Sequence, residues 1–135
     1  MSDEPLRWAV LQASLDRGRG HEQAGLRPVV VVSYEPFHQL GLATVVPVTS
    51  ARTSPRFPGY VPIAAGEGGL RAGVLICSQL RTLSIARLAT ARRRGYVTSP
   101  RVRSRVRDAL AHHLALDLSP PADGAAGHRR FSTAV

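Results

Sequence analysis

Val29-Val30-Val31-Val32, closed by Pro28 on one side and Ser33 on the other, restricts the fold more than any other part of this chain. Four consecutive β-branched residues are poor helix formers, because each loses rotamer freedom against the preceding turn. They also do not alternate with polar residues, as a strand with one wet face would. The run predicts a strand buried on both faces, so other strands and at least one further layer must cover it.

The rest of the chain supplies such partners. Residues 8–15 are mostly apolar and read as a first strand, followed by a polar, glycine-bearing loop over 16–26. Residues 34–40 fit a short helical turn with Pro36 near its start. A strand is expected over 42–48, with Pro47 suggesting an edge or a bulge near its end. A polar loop follows over 49–58, then a short strand over 60–63, a turn at Gly66, Gly68 and Gly69, and an apolar strand over 74–78. Residues 80–88 fit helix or strand, and 91–97 read as a last, basic strand. Ser99 and Pro100 open a helix as N-cap and first helical residue. Val102, Val106, Ala109, Leu110 and Leu114 form its apolar arc, and the helix is expected to run to about Leu118, before Ser119-Pro120-Pro121. Residues 1–6 read as a flexible leader and 119–135 as a disordered tail. Several short strands closed by one C-terminal helix predict a mainly β fold, a small barrel or strongly bent sheet.

Charge narrows the class of partner. The net charge is +9, all eighteen basic residues are arginine, and ten of them fall between Glu67 and Asp108, where no acidic residue occurs. Such a field favours nucleic acid, an anionic surface or an acidic protein. No apolar run approaches the ~18 to 20 residues that span a bilayer, and Met1-Ser2-Asp3-Glu4 has neither a basic start nor an apolar segment after it. The expectation is a cytoplasmic protein without membrane association. The single cysteine agrees with a reducing compartment.

The chemistry-bearing residues are few. His21, His38, His112, His113 and His128 show no metal-ligand spacing, and no glycine loop leads into Lys-Ser or Lys-Thr. No metal or cofactor is expected. Cys77, inside an apolar strand, reads as a small core residue, and His113 as a core or interface histidine. What remains is Arg27, held by Pro28 at the mouth of the valine strand, with Thr44, Thr49 and Ser50 on the neighbouring strand and His21 in the loop before Arg27. A guanidinium offers two parallel donors to a phosphate.

Three blocks carry a family likeness: residues 20–33 with Glu22-Gln23-Ala24-Gly25-Leu26-Arg27-Pro28, then Val46-Pro47-Val48-Thr49-Ser50, then Cys77-Ser78-Gln79-Leu80-Arg81-Thr82-Leu83. In order and spacing they resemble the MazF/PemK toxin family over residues 7–118. The first strand differs from that family's Arg-Gly-Asp/Glu-Val-Trp, reading Arg7-Trp8-Ala9-Val10-Leu11, and Ser78 replaces an aspartate. The resemblance implies an SH3-like barrel and a homodimer. It also implies a metal-independent endoribonuclease toxin that cuts single-stranded RNA (mRNA) at short motifs and is neutralised by an acidic antitoxin. Its catalytic residues fall on Arg27 and Thr49, with His21 a candidate base from histidine's ordinary pKa of ~6.5. Gln23, Ser50, Arg52, Arg56, Gln79 and Arg81 are the candidate RNA-binding residues. A CcdB-like topoisomerase poison of the same fold, or an RNA-binding module without catalysis, are the alternatives.

Overall fold

A computed structural model describes residues 4–15, 25–50, 59–89 and 93–116. Two strands hold the architecture together. β1 (Ala9–Leu15) and β2 (Gly25–Val31) pair antiparallel from Val10↔Val30 to Leu15↔Gly25, and β3 (Leu42–Thr49) pairs with the other edge of β2. β3 then divides its free edge. Residues 42–45 pair with β6 (Arg81–Ser84), and residues 48–49 with β5 (Gly73–Ile76), which pairs in turn with β4 (Tyr60–Ile63). β1 divides in the same way between β7 (Leu88–Ala89) and β8 (Gly95–Tyr96). Two strands that each change partner midway curl the sheet into a half-barrel, as the mainly β reading anticipated.

Pro47 explains where β3 changes partner. Val32 N–H donates to Thr44 O, so the even-numbered residues of β3 exchange bonds with β2 and the odd-numbered ones face the other edge. Pairing to β6 ends at Val45 and pairing to β5 begins at Val48. Pro47, which has no N–H to give, occupies the gap. It lies in a central strand rather than an edge strand, at the point where that strand changes neighbours.

The valine run is covered on both faces. Val30, Val32, Val46 and Val48 pack with Leu75, Cys77, Val97 and the helix residues Val106 and Ala109. Val29, Val31 and Val45 pack on the other side with Leu11, Leu15, Leu83 and Leu88. Each fully buried valine contributes roughly 1.5–3 kcal/mol relative to exposure. Both faces being dry is why no polar residue interrupts the run.

The helix α1 (Pro100–His113) begins where Ser99 was expected to cap it, with Ser99 Oγ accepting from Val102 N–H at 3.2 Å. Glu67 accepts from Thr98 and Ser99 N–H at 2.6 and 3.0 Å, fixing the helix entry to the preceding turn. Its end is earlier than expected. Ala115 adopts φ 57°, and the N–H groups of Ala115 and Leu116 return to His112 O and Ala111 O, a Schellman closure with alanine in place of glycine. Leu114 and His113 are accordingly exposed rather than core. Two further boundaries shift: Cys77 and Ser78 leave β5 for a 3-10 turn (Cys77–Gln79), and among the described residues of the expected last strand only Gly95–Tyr96 forms a strand.

Residues 4–7 are tied down on this frame. Leu6 and Arg7 N–H donate to the Glu35 carboxylate at 2.9–3.1 Å, from the 3-10 turn Glu35–Leu40. Buried His38, 3.5 Å from that carboxylate, binds Ser33 Oγ at 2.8 Å, and Ser33 Oγ accepts from Thr44 N–H at 2.9 Å. Burial alone would raise the Glu35 pKa, but the two amides and His38 outweigh it and hold it below the ordinary 4.5. A depressed carboxyl pKa adds stability above the unfolded value and loses it as pH falls through the folded one. Glu35→Gln should therefore unfold at a lower temperature than wild type at neutral pH, with the gap closing as pH drops below about 4. Thermal melts across pH check this, and a gap that does not depend on pH would refute it.

Candidate functional site

Arg27 stands inside β2, two residues from its start and across from Ala13, because β1 extends the pairing back to Gly25. On its other side the β2–β3 register runs Val31↔Val45, Val30↔Val46 and Val29↔Pro47. The same register carried two residues further puts Arg27 across from Thr49, the last residue of β3. Directly opposed residues of an antiparallel pair have Cβ atoms ~4.5–5.5 Å apart. Residues 22 apart in sequence thus meet through the pairing of two valine-rich strands.

Both line a cavity of about 300 Å³, with Ser50 beside them. Val48, Leu70 and Pro28 supply apolar wall, and two further arginines, Arg71 and Arg94, complete the lining. Arg27, Arg71 and Arg94 are all exposed, Thr49 is half-buried, and none of the described lining residues is a carboxylate. Three of the described acids are engaged elsewhere: Glu4 with Arg93, Glu35 with the Leu6 and Arg7 amides, Glu67 with the helix entry. None of the three cavity arginines has an ion-pair partner among the described residues. Guanidiniums gathered without a counter-ion repel one another, and an anionic ligand relieves that. The lining has the chemistry to hold a phosphate, guanidinium donors beside hydroxyl groups.

Glycines set the walls. A Cβ on Gly73 would lie 2.8 Å from Thr49 O, so β5 can close against the end of β3 only with no side chain there. A Cβ on Gly69 (φ 74°) would lie 2.7 Å from Arg94 O. The 3-10 turn Glu67–Gly69 thereby packs directly on the Arg94 backbone, which is also held by Arg94 N–H to Val10 O at 2.9 Å. Gly73→Ala should push the Thr49 backbone outward. A misplacement near 1 Å can cost ~10²-fold in rate, so RNA cleavage should fall by at least about tenfold with the sheet intact by circular dichroism.

Of the residues singled out in the sequence, Arg27, Thr49 and Ser50 come together. Gln79 is exposed on the turn past the far end of β5, and Arg81 opens β6 opposite Val45; neither lines the cavity. His21, Gln23, Arg52 and Arg56 lie outside the described residues. Arg71 and Arg94 were not singled out. Arg71 repeats the signal that drew attention to Arg27, a lone cation between a glycine-rich turn and an apolar strand, but nothing local marks Arg94. Cys77 is fully buried, and burial pushes its thiol up to about 12, so it is no nucleophile. Among the described residues no three His, Cys, Asp or Glu side chains group as metal ligands, and no helix is long and apolar enough to cross a membrane.

Residues 6–114 match the family described as PemK-like, MazF-like toxin of type II toxin-antitoxin system. The chain belongs to this toxin family. It is 37% identical to the endoribonuclease toxin ChpB of Escherichia coli strain K12 over 62% of its length and 73% of ChpB. To the endoribonuclease PemK of Escherichia coli it is 39% identical over 58% of its length and 60% of PemK. Among solved structures, MazF from Deinococcus radiodurans superposes with TM-score 0.69 at 26% identity, covering 83% of this chain and 97% of that one. An endoribonuclease in complex with its cognate antitoxin, from a mycobacterial species, shares the fold with TM-score 0.69 at 23% identity, over 86% of this chain and all of that one. The half-barrel with one C-terminal helix is thus the architecture of MazF-like toxins.

Proposed function

We propose that this chain, the endoribonuclease toxin of a type II toxin–antitoxin pair, cuts single-stranded RNA without a metal ion, using Arg27 and Thr49. The observation that carries this reading is the meeting of Arg27, Thr49 and Ser50 on one cavity rim whose described lining includes two more guanidiniums and no carboxylate. The 2′-hydroxyl next to the scissile bond attacks phosphorus in line, its proton passes to a base, and the 5′-oxygen leaves with a proton. The products are a 2′,3′-cyclic phosphate and a 5′-hydroxyl. Charge builds on the non-bridging oxygens as the phosphorane forms, and that is where Arg27 donates. A guanidinium stays protonated in proteins, so Arg27 stabilises charge rather than accepting the proton. The Thr49 hydroxyl orients the attacking group or adds a donor, and His21 is the proposed base.

The same cationic cavity suits the carboxylates of an acidic antitoxin, which would then compete with RNA for it. A toxin–antitoxin complex among the structural neighbours supports that partner class. Homodimerisation is the proposed assembly, supported by exposed Tyr34, Leu40 and Leu42 on and beside the 3-10 turn. The cytoplasm is the proposed compartment, since both mRNA and a reduced Cys77 belong there.

The test is incubation of the purified protein with a long single-stranded RNA in the presence of chelator, followed by end mapping. Discrete cuts bearing 5′-hydroxyl ends are the expected result. RNA that shifts on a gel but stays whole would overturn the catalytic reading in favour of a binding module.

A further inference from the structure

Three arginines are more than one phosphodiester needs. The scissile phosphate carries one negative charge and approaches two in the phosphorane, yet Arg27, Arg71 and Arg94 line the same cavity with no carboxylate among its described lining residues. The cavity is also large for a single phosphate. At about 300 Å³ it has room for roughly ten waters at ~30 Å³ each. The arginines divide into two groups by what holds them. Arg27 is positioned by the β2–β3 register together with Thr49. Arg71 and Arg94 are positioned by the Glu67–Gly69 turn, which ends one residue before Leu70-Arg71 and packs its Gly69 on the Arg94 carbonyl. The Arg94 backbone is pinned again to Val10 O. One arginine thus follows this turn directly and a second is packed against it, while the third lies on β2.

We propose that Arg71 and Arg94 bind the phosphate adjacent to the scissile one, so that the cavity takes two consecutive phosphates of a single RNA strand. This rests on the reading of Arg27 and Thr49 as the scissile-phosphate site. Holding the neighbouring phosphate fixes the backbone torsions on one side of the reacting linkage. That positions the 2′-hydroxyl for in-line attack without either arginine touching the reacting atoms. Arg71 and Arg94 are positioning residues.

The experiment uses a short RNA containing one mapped cut site, made uncleavable by 2′-deoxy substitution at the attacking nucleotide. Binding is measured against salt for wild type, Arg71→Gln and Arg94→Gln, each first shown by thermal melt to fold as wild type does. Each variant should bind about tenfold more weakly at low salt. The double variant Arg71→Gln/Arg94→Gln, measured alongside, should have a log–log salt slope shallower by about 0.7, the loss of one single-strand phosphate contact, and each single variant by less. An uncharged methylphosphonate placed at each flanking linkage in turn should weaken wild-type binding at one flank, and should cost the Arg71→Gln/Arg94→Gln double variant little more at that flank. Cleavable RNA should show a higher KM together with a lower kcat, because the neighbouring phosphate both binds and orients the strand.

The proposal is overturned if neither flanking methylphosphonate weakens wild type. It is equally overturned if the two variants lose kcat at unchanged KM and unchanged salt slope, which would put both arginines on the scissile phosphate. A wild-type protein that binds this RNA with the expected slope but never cuts its cleavable form would sink the ribonuclease reading alone. The second-phosphate contact would still be decided by the binding data.

Discussion

Arg27→Ala should lower RNA cleavage by about 10²- to 10³-fold, the loss seen when a single oxyanion donor is removed. The fold should barely change. Arg27 is exposed, has no ion-pair partner among the described residues, and packs into neither apolar cluster. Surface substitutions of that kind usually move stability by under ~0.5 kcal/mol. Arg27→Lys separates charge from geometry, because an ammonium keeps the point charge but loses the two parallel donors. It should recover only part of the lost rate. Initial rates on a defined substrate, with melting temperatures for all three proteins, decide the matter. An alanine variant that cuts as fast as wild type would remove Arg27 from the chemistry. One that melts well below wild type would show that its loss of rate is structural.

The residues legible in sequence were those whose role is set by their immediate neighbours. The valine run announced a strand dry on both faces, and both clusters are there to cover it. Ser99-Pro100 announced the helix start, because capping is a three-residue interaction. Tyr60–Ile63 lies where its flanking turn residues put it. What stayed hidden was set by distant partners. β2 reaches back through Arg27 only because Leu15 pairs with Gly25. The helix stops early because Ala115 takes a left-handed conformation for which glycine is the usual signal. Trp8 stands where the family's opening has glycine and adopts φ 71°, while staying buried between the guanidiniums of Arg7 and Arg103 at 5.2 and 5.3 Å. Arg94 was hidden for the same reason. It comes to the same cavity as Arg27 by packing against a turn 25 residues earlier in the chain, and no local pattern encodes that contact.

That turn is where the largest loss of stability is expected. Gly68 has φ 63°, and a Cβ there would lie 2.5 Å from Val10 Cγ2, in the middle of the apolar cluster beneath α1. Alanine at this position meets two costs. The left-handed backbone costs a non-glycine residue roughly 1–2 kcal/mol, and forcing a methyl into a packed core costs about 1–3 kcal/mol more. Gly68→Ala should therefore lose about 2–5 kcal/mol, a large fraction of the ~5–15 kcal/mol available to a domain. Its Tm should fall by about 10 °C or more. Gly66→Ala is the control, since Gly66 has φ 94° but open space where its Cβ would go, so only the backbone cost applies. The two variants share a turn and a backbone class and differ in the clash alone. The turn also presents Leu70, Arg71 and the Arg94 backbone to the cavity, so Gly68→Ala should weaken RNA binding below its own melting point, where Gly66→Ala should not. Equal melting temperatures for the two variants would mean that Val10 can move aside, and that the turn does not hold the wall of the site in place.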